Sequence, residues 1–387
     1  MSDIVLTSAT RQNLLSAQKT ADLLGTTQNR LATGKKVNSA LDNPLNFFTA
    51  QSLDSRAADL QSLLDGISNG IQTIQAANTG ITNIQKLVDS AKSVANQAKA
   101  TAITTTGIST TDYASSGSAA TITFTIDGVS KSFSLASGST LDTAIAGLNT
   151  AAGSAIFTKD STGKRIAVNG VGRLEITGSS ATAVGFSSAP TDKASTTYYN
   201  EANNTADLTV NGLETRSNFA TQYNDLLSQI DQLASDASFN GTNLINSSDP
   251  TKQLKVAFNS DNTSNVTLRN VDATSAGLSL AAVALDTTNS FTKNTDIDVT
   301  LTGLTNATSK LRSYATSFGS KLTIVQNRQD FTKNLIDTLQ TGSSNLVNAD
   351  LNEEAANSQA LATRQSLAIS ALSLSNTAQQ NVLQLLR

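Results

Sequence analysis

The stretch LDSRAADLQSLLDGISNGIQTIQAANTGITNIQKLVDSAKSVANQA, residues 53–98, decides the fold of this chain. Its apolar residues recur at steps of three and four, which places them on one face of a helix. They are Leu53, Ala57, Leu60, Leu64, Ile67, Ile71, Ile74, Ala77, Ile81, Ile84, Val88, Ala91, Ala95 and Ala98. A helix through residues 45–100 would be roughly 80 Å long at about 1.5 Å per residue, without a proline to interrupt it. Such a rod predicts partner helices along its length rather than a compact globular domain.

Both ends of the chain carry a shorter repeat of the same kind. The first repeat stops at Gly34, a residue type that commonly ends a helix, whereas the last continues almost to the final residue. The first contains Leu14, Ala17, Ala21, Leu24 and Leu31; the last contains Leu367, Ala371, Leu374 and Ala378, beside a second line of Ala368, Leu372, Val382 and Leu386. We expect the two end helices to pair within one chain, which buries one side of each. The wide apolar face near the carboxyl end then predicts contacts with neighbouring copies.

The middle of the chain has a different composition and a different period. Ser, Thr and Gly dominate from about residue 101, and apolar residues alternate over 122–126 before the dipeptide Asp127-Gly128. This pattern predicts a β-hairpin. A short helix is predicted at 141–148, and we place a β-rich insert at 104–215.

Helical spacing returns after the insert. We predict a helix at 219–233, a second hairpin at 254–268 and a long helix at 304–346. LVNADLNEEAA then breaks the pattern, with Asp350 as an N-cap and Glu353 completing a capping box. The predicted fold class is therefore mainly α with a β-rich insert: long antiparallel coiled-coil helices from both chain ends, plus a small outer α+β domain.

Composition excludes several classes of function. The net charge is −3 and Lys and Arg do not cluster, which disfavours nucleic-acid binding. The sequence also contains no run of 18 apolar residues, so we do not expect membrane insertion. The chain has no His and no Cys, so the commonest general base and the commonest metal ligands are absent. We therefore expect no catalytic residue, no cofactor and no metal site, and we do not expect an enzyme.

Two pairs of carboxylates fit structural roles better than chemical ones. Asp296 and Asp298 alternate with apolar residues, which favours an exposed strand edge over a cation site. Glu353 and Glu354 are adjacent and would point in different directions on a helix, so they cannot flank one scissile bond. We interpret them as capping and surface charges.

Three motifs carry a resemblance to a known family. NRLATGKKVNSALDNPLNF at 29–47 resembles the amino-terminal signature of bacterial flagellins, where an R-L-x-S/T-G-x-R/K-[IV]-N-S-A-x-D block follows the first helix. NVLQLLR at 381–387 is similar to the flagellin carboxyl terminus, and SFNGTNLI at 238–245 is similar to the family's F-N-G-x-x-L-[LI] element. The motif residues are Gly34, Asn38, Ser39, Ala40, Asp42, Phe239, Asn240 and Gly241.

The resemblance implies a subunit that polymerises into the flagellar filament. It implies that the terminal helices, residues 1–40 and 348–387, fold on assembly into an inner coiled-coil tube, D0, and that residues 41–103 and 216–347 form a D1 layer. The insert at 104–215 would be the variable, outward-facing D2. The inner-tube contacts would be Leu14, Ala17, Ala21, Leu24, Leu31, Leu367, Ala371, Leu374, Ala378, Val382 and Leu386.

The resemblance also implies partners and a location. We expect a homopolymer, with a flagellar export chaperone, a filament cap and hook-associated proteins as further partners. The location would be the extracellular filament, reached through the flagellar type III channel without a cleaved signal peptide. Two alternatives stay open from sequence: a hook–filament junction protein, and a flagellin-like surface adhesin or glycan-binding protein that acts through 104–215.

Overall fold

The computed structural model describes residues 8–176, 178–187, 207–249, 251–283 and 291–385. Across these residues the chain forms seven helices and eleven strands. The helices are α1 (Ser8–Thr33), α2 (Pro44–Ala100), α3 (Leu141–Ala152), α4 (Gly178–Ala183), α5 (Leu213–Asp236), α6 (Asn294–Val347) and α7 (Leu351–Leu385). The strands are β1 (Thr104–Ile108), β2 (Ala120–Ile126), β3 (Val129–Leu135), β4 (Phe157–Lys159), β5 (Ile166–Val171), β6 (Leu174–Ile176), β7 (Leu208–Asn211), β8 (Ser238–Phe239), β9 (Thr242–Asn243), β10 (Leu254–Ala257) and β11 (Asn265–Leu268).

The long helix predicted in the first half is present as one uninterrupted element of 57 residues, α2. Every residue of the apolar stripe is buried or half-buried, from Leu53 to Ala98. The long helix near the end is also confirmed, but α6 starts earlier than predicted. Asp296 and Asp298 lie in its first turns, so the strand edge expected there is wrong. Ile297 explains the difference, because it is fully buried and extends the helical apolar register backward by two turns.

The chain divides into two compact units, each described by itself. Unit 1 comprises the described residues within 1–68, 256–265 and 325–387. In it α1 packs against α7, and the start of α2 runs antiparallel to the end of α6. Along that second pair, Ala57, Ile336 and Leu339 form a small apolar cluster. Polar contacts flank the cluster: Gln329 Nε2 donates to Ser68 Oγ at 2.9 Å, and Ser343 Oγ donates to the Ala50 carbonyl at 3.4 Å.

Unit 2 contains the rest of the long helices, α5 and the β-rich insert. The buried face of α5 includes Tyr223, Leu227 and Ile230, and the ring of Tyr223 packs at 5.6 Å from that of Phe291. The guanidinium of Arg216 is buried beneath this face. It donates to the carbonyls of Thr101 and Phe291 and to Asn294 Oδ1, and so joins three segments of the unit.

The insert builds its own apolar core between two antiparallel sheets and α3. The sheets have the strand orders β4-β5-β1-β7 and β3-β2-β6. The predicted hairpin is confirmed, since β2 and β3 pair from Ala120↔Leu135 to Ile126↔Val129 across the Asp127-Gly128 turn. Phe124 and Phe157 meet edge-to-face in the core at 5.7 Å. The second predicted hairpin is also present, as β10 and β11.

Candidate functional site: the terminal helix pair and its joint

The helices α1 and α7, here called the terminal pair, pack antiparallel along one seam. Two side-chain contacts fix their alignment. Thr10 Oγ1 lies 3.2 Å from Ser375 Oγ, and Arg30 Nη1 donates to Glu354 Oε1 at 3.1 Å. Counting between these contacts in opposite directions along the two helices places Leu24 opposite Leu361 at the same level of the seam.

The seam itself is made mostly of small and polar side chains. Among the described side chains of the terminal pair, the buried and half-buried ones on α7 are Glu354, Ser358, Leu361, Gln365, Ala368, Leu372 and Ser375, and those on α1 include Thr10, Asn13, Ala17, Thr20, Leu24, Thr27 and Arg30. Burial of apolar area drives helix pairing, at about 25 cal/mol per Å². A seam with so few large apolar side chains therefore gives the isolated terminal pair little stability.

The larger apolar side chains of the terminal pair point outward instead. Leu14 and Leu31 are 37% and 40% exposed on α1, and Leu367 and Leu374 are 65% and 72% exposed on α7. We call these four side chains the outer stripe. Across the described residues, twelve of the seventeen exposed large hydrophobic side chains belong to unit 1, although it is the smaller unit. Exposed apolar side chains concentrated in this way are typical of a surface that contacts another protein.

The predicted inner-tube residues fall on both faces of the terminal pair. Ala17 and Leu24 are half-buried in the seam. The others that the structure describes are exposed: Leu14, Ala21, Leu31, Leu367, Ala371, Leu374 and Ala378. The side chain of Val382 and all of Leu386 lie outside the described residues. Contact of any of them with another copy remains a prediction.

A short two-stranded contact, here called the joint, connects residues 34–37, just after α1, with residues 347–349, just before α7. Gly34 ends α1 with φ = 69°, a left-handed conformation that favours glycine, and its carbonyl accepts from the Ala349 N–H at 2.9 Å. The Val347 carbonyl accepts from the N–H groups of Lys36 and Val37 at 2.7 and 3.2 Å. The sequence between α1 and α2 is thus tied by backbone hydrogen bonds to the sequence between α6 and α7.

Asp42 organises the loop that follows the joint. Its Oδ2 accepts from the N–H groups of Asn38 and Ser39 at 3.0 and 2.9 Å, and from the Ser39 hydroxyl. These bonds, with the Ser39 N–H first, lower the pKa of Asp42 below its usual value. The motif residues Asn38, Ser39 and Asp42 therefore form one turn, and half-buried Ala40 lies within it.

The element SFNGTNLI forms a tight hairpin after α5. Phe239 pairs with Thr242, and Asn240 and Gly241 occupy the turn with φ of 48° and 76°, as a type I′ turn requires. Asn243, after the turn, donates to the carbonyls of Ala234 and Ser235 in the last turn of α5. The motif thus forms a hairpin and also binds the carbonyl groups at the end of α5.

Two family models match this chain. The bacterial flagellin N-terminal helical region matches residues 2–121, and the bacterial flagellin C-terminal helical region matches residues 301–386, which together cover more than half of the chain. This chain belongs to the bacterial flagellin family. Each matched region includes one helix of the terminal pair, where the seam and the outer stripe lie.

Individual flagellins match parts of the chain. Flagellin FljK of Caulobacter vibrioides is 34% identical over 171 residues, which are 43% of this chain and 58% of FljK. Flagellin A of Rhizobium meliloti (strain 1021) is 40% identical over 92 residues, which are 24% of this chain and 23% of that protein. Flagellin D of Rhizobium meliloti (strain 1021) is 36% identical over 124 residues, 30% of this chain and 31% of that relative. The chain thus matches less than two thirds of the length of each. These flagellin matches do not favour the junction-protein or adhesin alternatives.

Two charged residues of this flagellin were missed by the sequence analysis. Glu354 is only 8% exposed, so its interpretation as a surface charge is wrong. The signal was available, because Glu354 continues the spacing of Ala368 and Leu372 backward in steps of three and four. Asp350 does cap α7, since its Oδ1 accepts from the N–H groups of Asn352 and Glu353. No sequence pattern pointed to Arg216, whose side chain donates to two distant segments, at Thr101 and at residues 291–294.

The described residues offer neither a metal-binding cluster nor a membrane-spanning helix. No group of three or more acidic side chains is placed to bind a metal ion there, and the chain has no His or Cys. None of the helices in the described ranges combines the length and the hydropathy that a membrane span requires.

Proposed function

We propose that this flagellin is a structural subunit of the bacterial flagellar filament and polymerises through its terminal pair. The observation that carries the proposal is the outer stripe, together with the concentration of exposed apolar side chains in unit 1. Burying one leucine is worth about 1.5–3 kcal/mol, more than the small side chains of the seam provide. Contacts with neighbouring copies would supply the burial that the isolated pair lacks.

In this proposal the domains divide as the family resemblance implies. Residues 1–40 and 348–387 form the inner tube, D0, and residues 41–103 and 216–347 form D1 around it. The insert at 104–215 faces outward as D2. Its apolar core is built from its own strands and helix, which supports a module that needs no contact from a neighbouring copy.

The partners and the location belong to the same proposal. A homopolymer of this chain would form the extracellular filament, with an export chaperone, a filament cap and hook-associated proteins as partners. The subunit would travel through the flagellar type III channel without a cleaved signal peptide. The absence of cysteine supports this route, because no disulfide can form and block passage of the chain.

Seeded polymerisation tests the proposal directly. Purified full-length chain is mixed with short filament seeds and compared by electron microscopy with a variant that lacks residues 1–40 and 348–387. A double variant, Leu53→Ser with Leu335→Ser, serves as a control for general damage, because both side chains pack inside unit 1 away from the terminal pair.

The proposal predicts that the full-length chain extends the seeds into tubes and that the truncated chain does not. The truncated chain should stay monomeric while retaining the circular dichroism signal of a helical protein. If the full-length chain stays folded and monomeric in the presence of seeds, the outer stripe is not an assembly surface and the filament proposal fails.

A further inference from the structure

The β-rich insert is attached to the helices of unit 2 by two neighbouring strands. Residues 101–103 separate the end of α2 from β1, and Gly212 separates β7 from α5. The two strands pair side by side where they leave the helices, with Thr104 opposite Asn211. We call residues 101–104 and 211–213 the neck. The neck consists of a few residues at the ends of regular elements, which is where hinges in proteins are commonly found.

Apolar packing does not continue through the neck as one core. Ile103, Val210 and Leu213 form a small buried cluster of their own. The core of the insert is a separate cluster, which includes Phe124 and Leu208. Because continuous close packing is what makes a protein interior stiff, two clusters that meet at a narrow neck leave the orientation of the insert to be fixed by other contacts.

A buried guanidinium lies at the base of the neck. Arg216 is in the first turn of α5, where the helix dipole disfavours a cation, and burial lowers its pKa. Its four hydrogen bonds go to neutral oxygens: two to the Thr101 carbonyl, one to the Phe291 carbonyl and one to Asn294 Oδ1. Among the described residues no carboxylate forms an ion pair with it. Its positive charge is therefore available to a carboxylate at longer range.

A polar cavity of about 250 Å³ opens beside this guanidinium. The helical side contributes Lys99 and Arg216 to its lining, and the insert contributes Asp127 and Gly172. Lys99 also forms an ion pair with Asp298 at 2.5 Å. The carboxylate of Asp127 thus faces two cations across the gap between the insert and the helices, and its attraction favours the charged form of Arg216.

The tip of the hairpin formed by β2 and β3 reaches the helical side directly. Asp127 has φ = 52° in this turn, and its Oδ1 accepts from the Arg173 N–H at 2.8 Å. A Cβ atom on the next residue, Gly128, would lie 2.9 Å from Lys293 Cε and 3.1 Å from Lys293 Nζ. Lys293 directly precedes α6, so the tip rests beside a third cation at a point separate from the neck.

We propose that the Asp127-Gly128 turn is an electrostatic latch: the attraction of Asp127 for the three cations holds the insert in one orientation, and loss of that attraction lets the insert swing about the neck. Each attraction of this kind, across a gap that water can enter, changes an equilibrium by up to about fivefold. The latch is therefore reversible and sensitive to salt. It is a property of the single chain, whereas its effect on how the insert is presented on a filament rests on the proposed function.

Two spin labels measure the orientation of the insert in this cysteine-free chain. Ser90→Cys on α2 and Ala146→Cys on α3 are exposed positions on opposite sides of the neck. Double electron–electron resonance gives the distribution of distances between them. The labelled full-length chain is kept unseeded and is diluted with unlabelled chain, so that each distance lies within one molecule. A second labelled pair, Ala146→Cys with Thr121→Cys, lies within the insert and reports whether the insert remains folded.

The latch predicts a salt-dependent distribution in the parent. Its width should increase at least about twofold between 0.1 M and 1 M salt, because the screening length falls from about 10 Å to about 3 Å. Asp127→Asn keeps an oxygen for the Arg173 N–H but has no charge, so its distribution should be wide at both salt concentrations. Lys293→Gln removes one of the three cations and should be intermediate at 0.1 M.

The matched control removes an ion pair within the insert. Asp112 pairs with Arg165 at 2.9 Å and does not line the cavity, so Asp112→Asn should behave as the parent does. The distance between the labels at 121 and 146 should stay narrow in every variant. A wide distribution for the first pair then reports movement of the insert rather than its unfolding.

Three results would overturn the proposal. The first is a parent distribution whose width does not change with salt, since packing at the neck would then be sufficient to hold the insert. The second is a D127N distribution as narrow as that of the parent at 0.1 M salt. The third is a parent distribution already as wide as that of D127N. Because all distances lie within one chain, these results are independent of whether the chain polymerises.

Discussion

A Cβ atom on Gly80 would stand 2.6 Å from the Cβ atom of Ala237 and 2.8 Å from Cδ1 of Ile245. Real Cβ atoms do not approach so closely. The hairpin after α5 lies directly against the backbone of α2 here, and only glycine leaves room for it. Ile245 is fully buried there, and the same contact positions the turn formed by Asn240 and Gly241.

The variant Gly80→Ala should therefore be destabilised, whereas Gly66→Ala in the same helix should not. A Cβ atom at Gly66 would meet no atom within 4 Å, so alanine there gains about 1 kcal/mol of helix propensity. At Gly80 the clash should outweigh the same gain and cost about 1–3 kcal/mol. Urea unfolding of the two variants measures both effects. Equal midpoints would show that the hairpin moves aside without cost.

The turn after the joint should depend on pH through Asp42. The backbone N–H groups of Ser39 and Asn38 lower its pKa in the folded chain, so the carboxylate favours the fold. This contribution is fully present above the ordinary pKa of 3.8 and is lost as the pH falls through the lower, folded value. Asp42→Asn keeps the shape but has no charge to titrate.

Thermal unfolding of the parent and D42N between pH 2 and 7 tests this expectation. The parent should be the more stable protein at pH 7, and the difference should shrink as the pH falls below about 4. Asp59→Asn, an exposed position on α2, is the matched control and should show no such convergence. A difference that stays constant down to pH 2 would contradict the role given to Asp42.

Much of this fold could be predicted because its elements are long and strongly periodic. Apolar steps of three and four over 46 residues leave no other regular structure for α2, and alternation ahead of Asp127-Gly128 is sufficient for the hairpin. The start of α6 was misjudged because four alternating residues around Ile297 fit both periods. Only tertiary burial of Ile297 resolves the ambiguity.

The candidate site could be predicted only in part from the sequence, for a physical reason. Periodicity identifies apolar stripes, but it does not say which of two adjacent stripes faces a partner in the same chain. Ala17 and Leu24 were grouped with Leu14 and Leu31, yet the first two face the seam and the last two face outward. The spacing of α7 indicates that Glu354 is buried, but no local pattern indicates that its partner is Arg30, 324 positions away.

Replacing the outer stripe should separate assembly from folding. Leu367→Ser and Leu374→Ser together should leave monomer unfolding nearly unchanged, because substitutions of exposed residues usually shift stability by less than about 0.5 kcal/mol. The critical concentration for filament growth should rise at least about a hundredfold, because two leucines would no longer be buried against neighbouring copies. Sedimentation of seeded reactions measures the critical concentration.

The matched control changes the other face of the same helix. Leu361→Ser with Leu372→Ser removes half-buried seam residues and should weaken α1–α7 pairing within each subunit, seen as faster proteolysis of the terminal pair in assembled filaments. If L367S/L374S instead destabilises the monomer and leaves the critical concentration unchanged, the outer stripe is satisfied within the chain.

Unit 2 should lose stability in alkali through Tyr223. This side chain is fully buried against Phe291, and burial raises its pKa to about 12 from an ordinary value of 10.0. The folded chain thus keeps the phenol neutral at a pH where the unfolded chain has released the proton. Stability is therefore unaffected below about pH 10 and falls as the pH rises toward 12, by about 2–3 kcal/mol for a shift of two pKa units.

The variant Tyr223→Phe retains the buried ring without the titrating group, so urea unfolding should show a smaller loss between pH 9 and 11.5 than in the parent. Tyr314→Phe, on α6, controls for alkaline effects unrelated to burial at 223. Parallel losses in the parent and Y223F would show that other groups govern the alkaline limit and that the phenol of Tyr223 ionises without unfolding the unit.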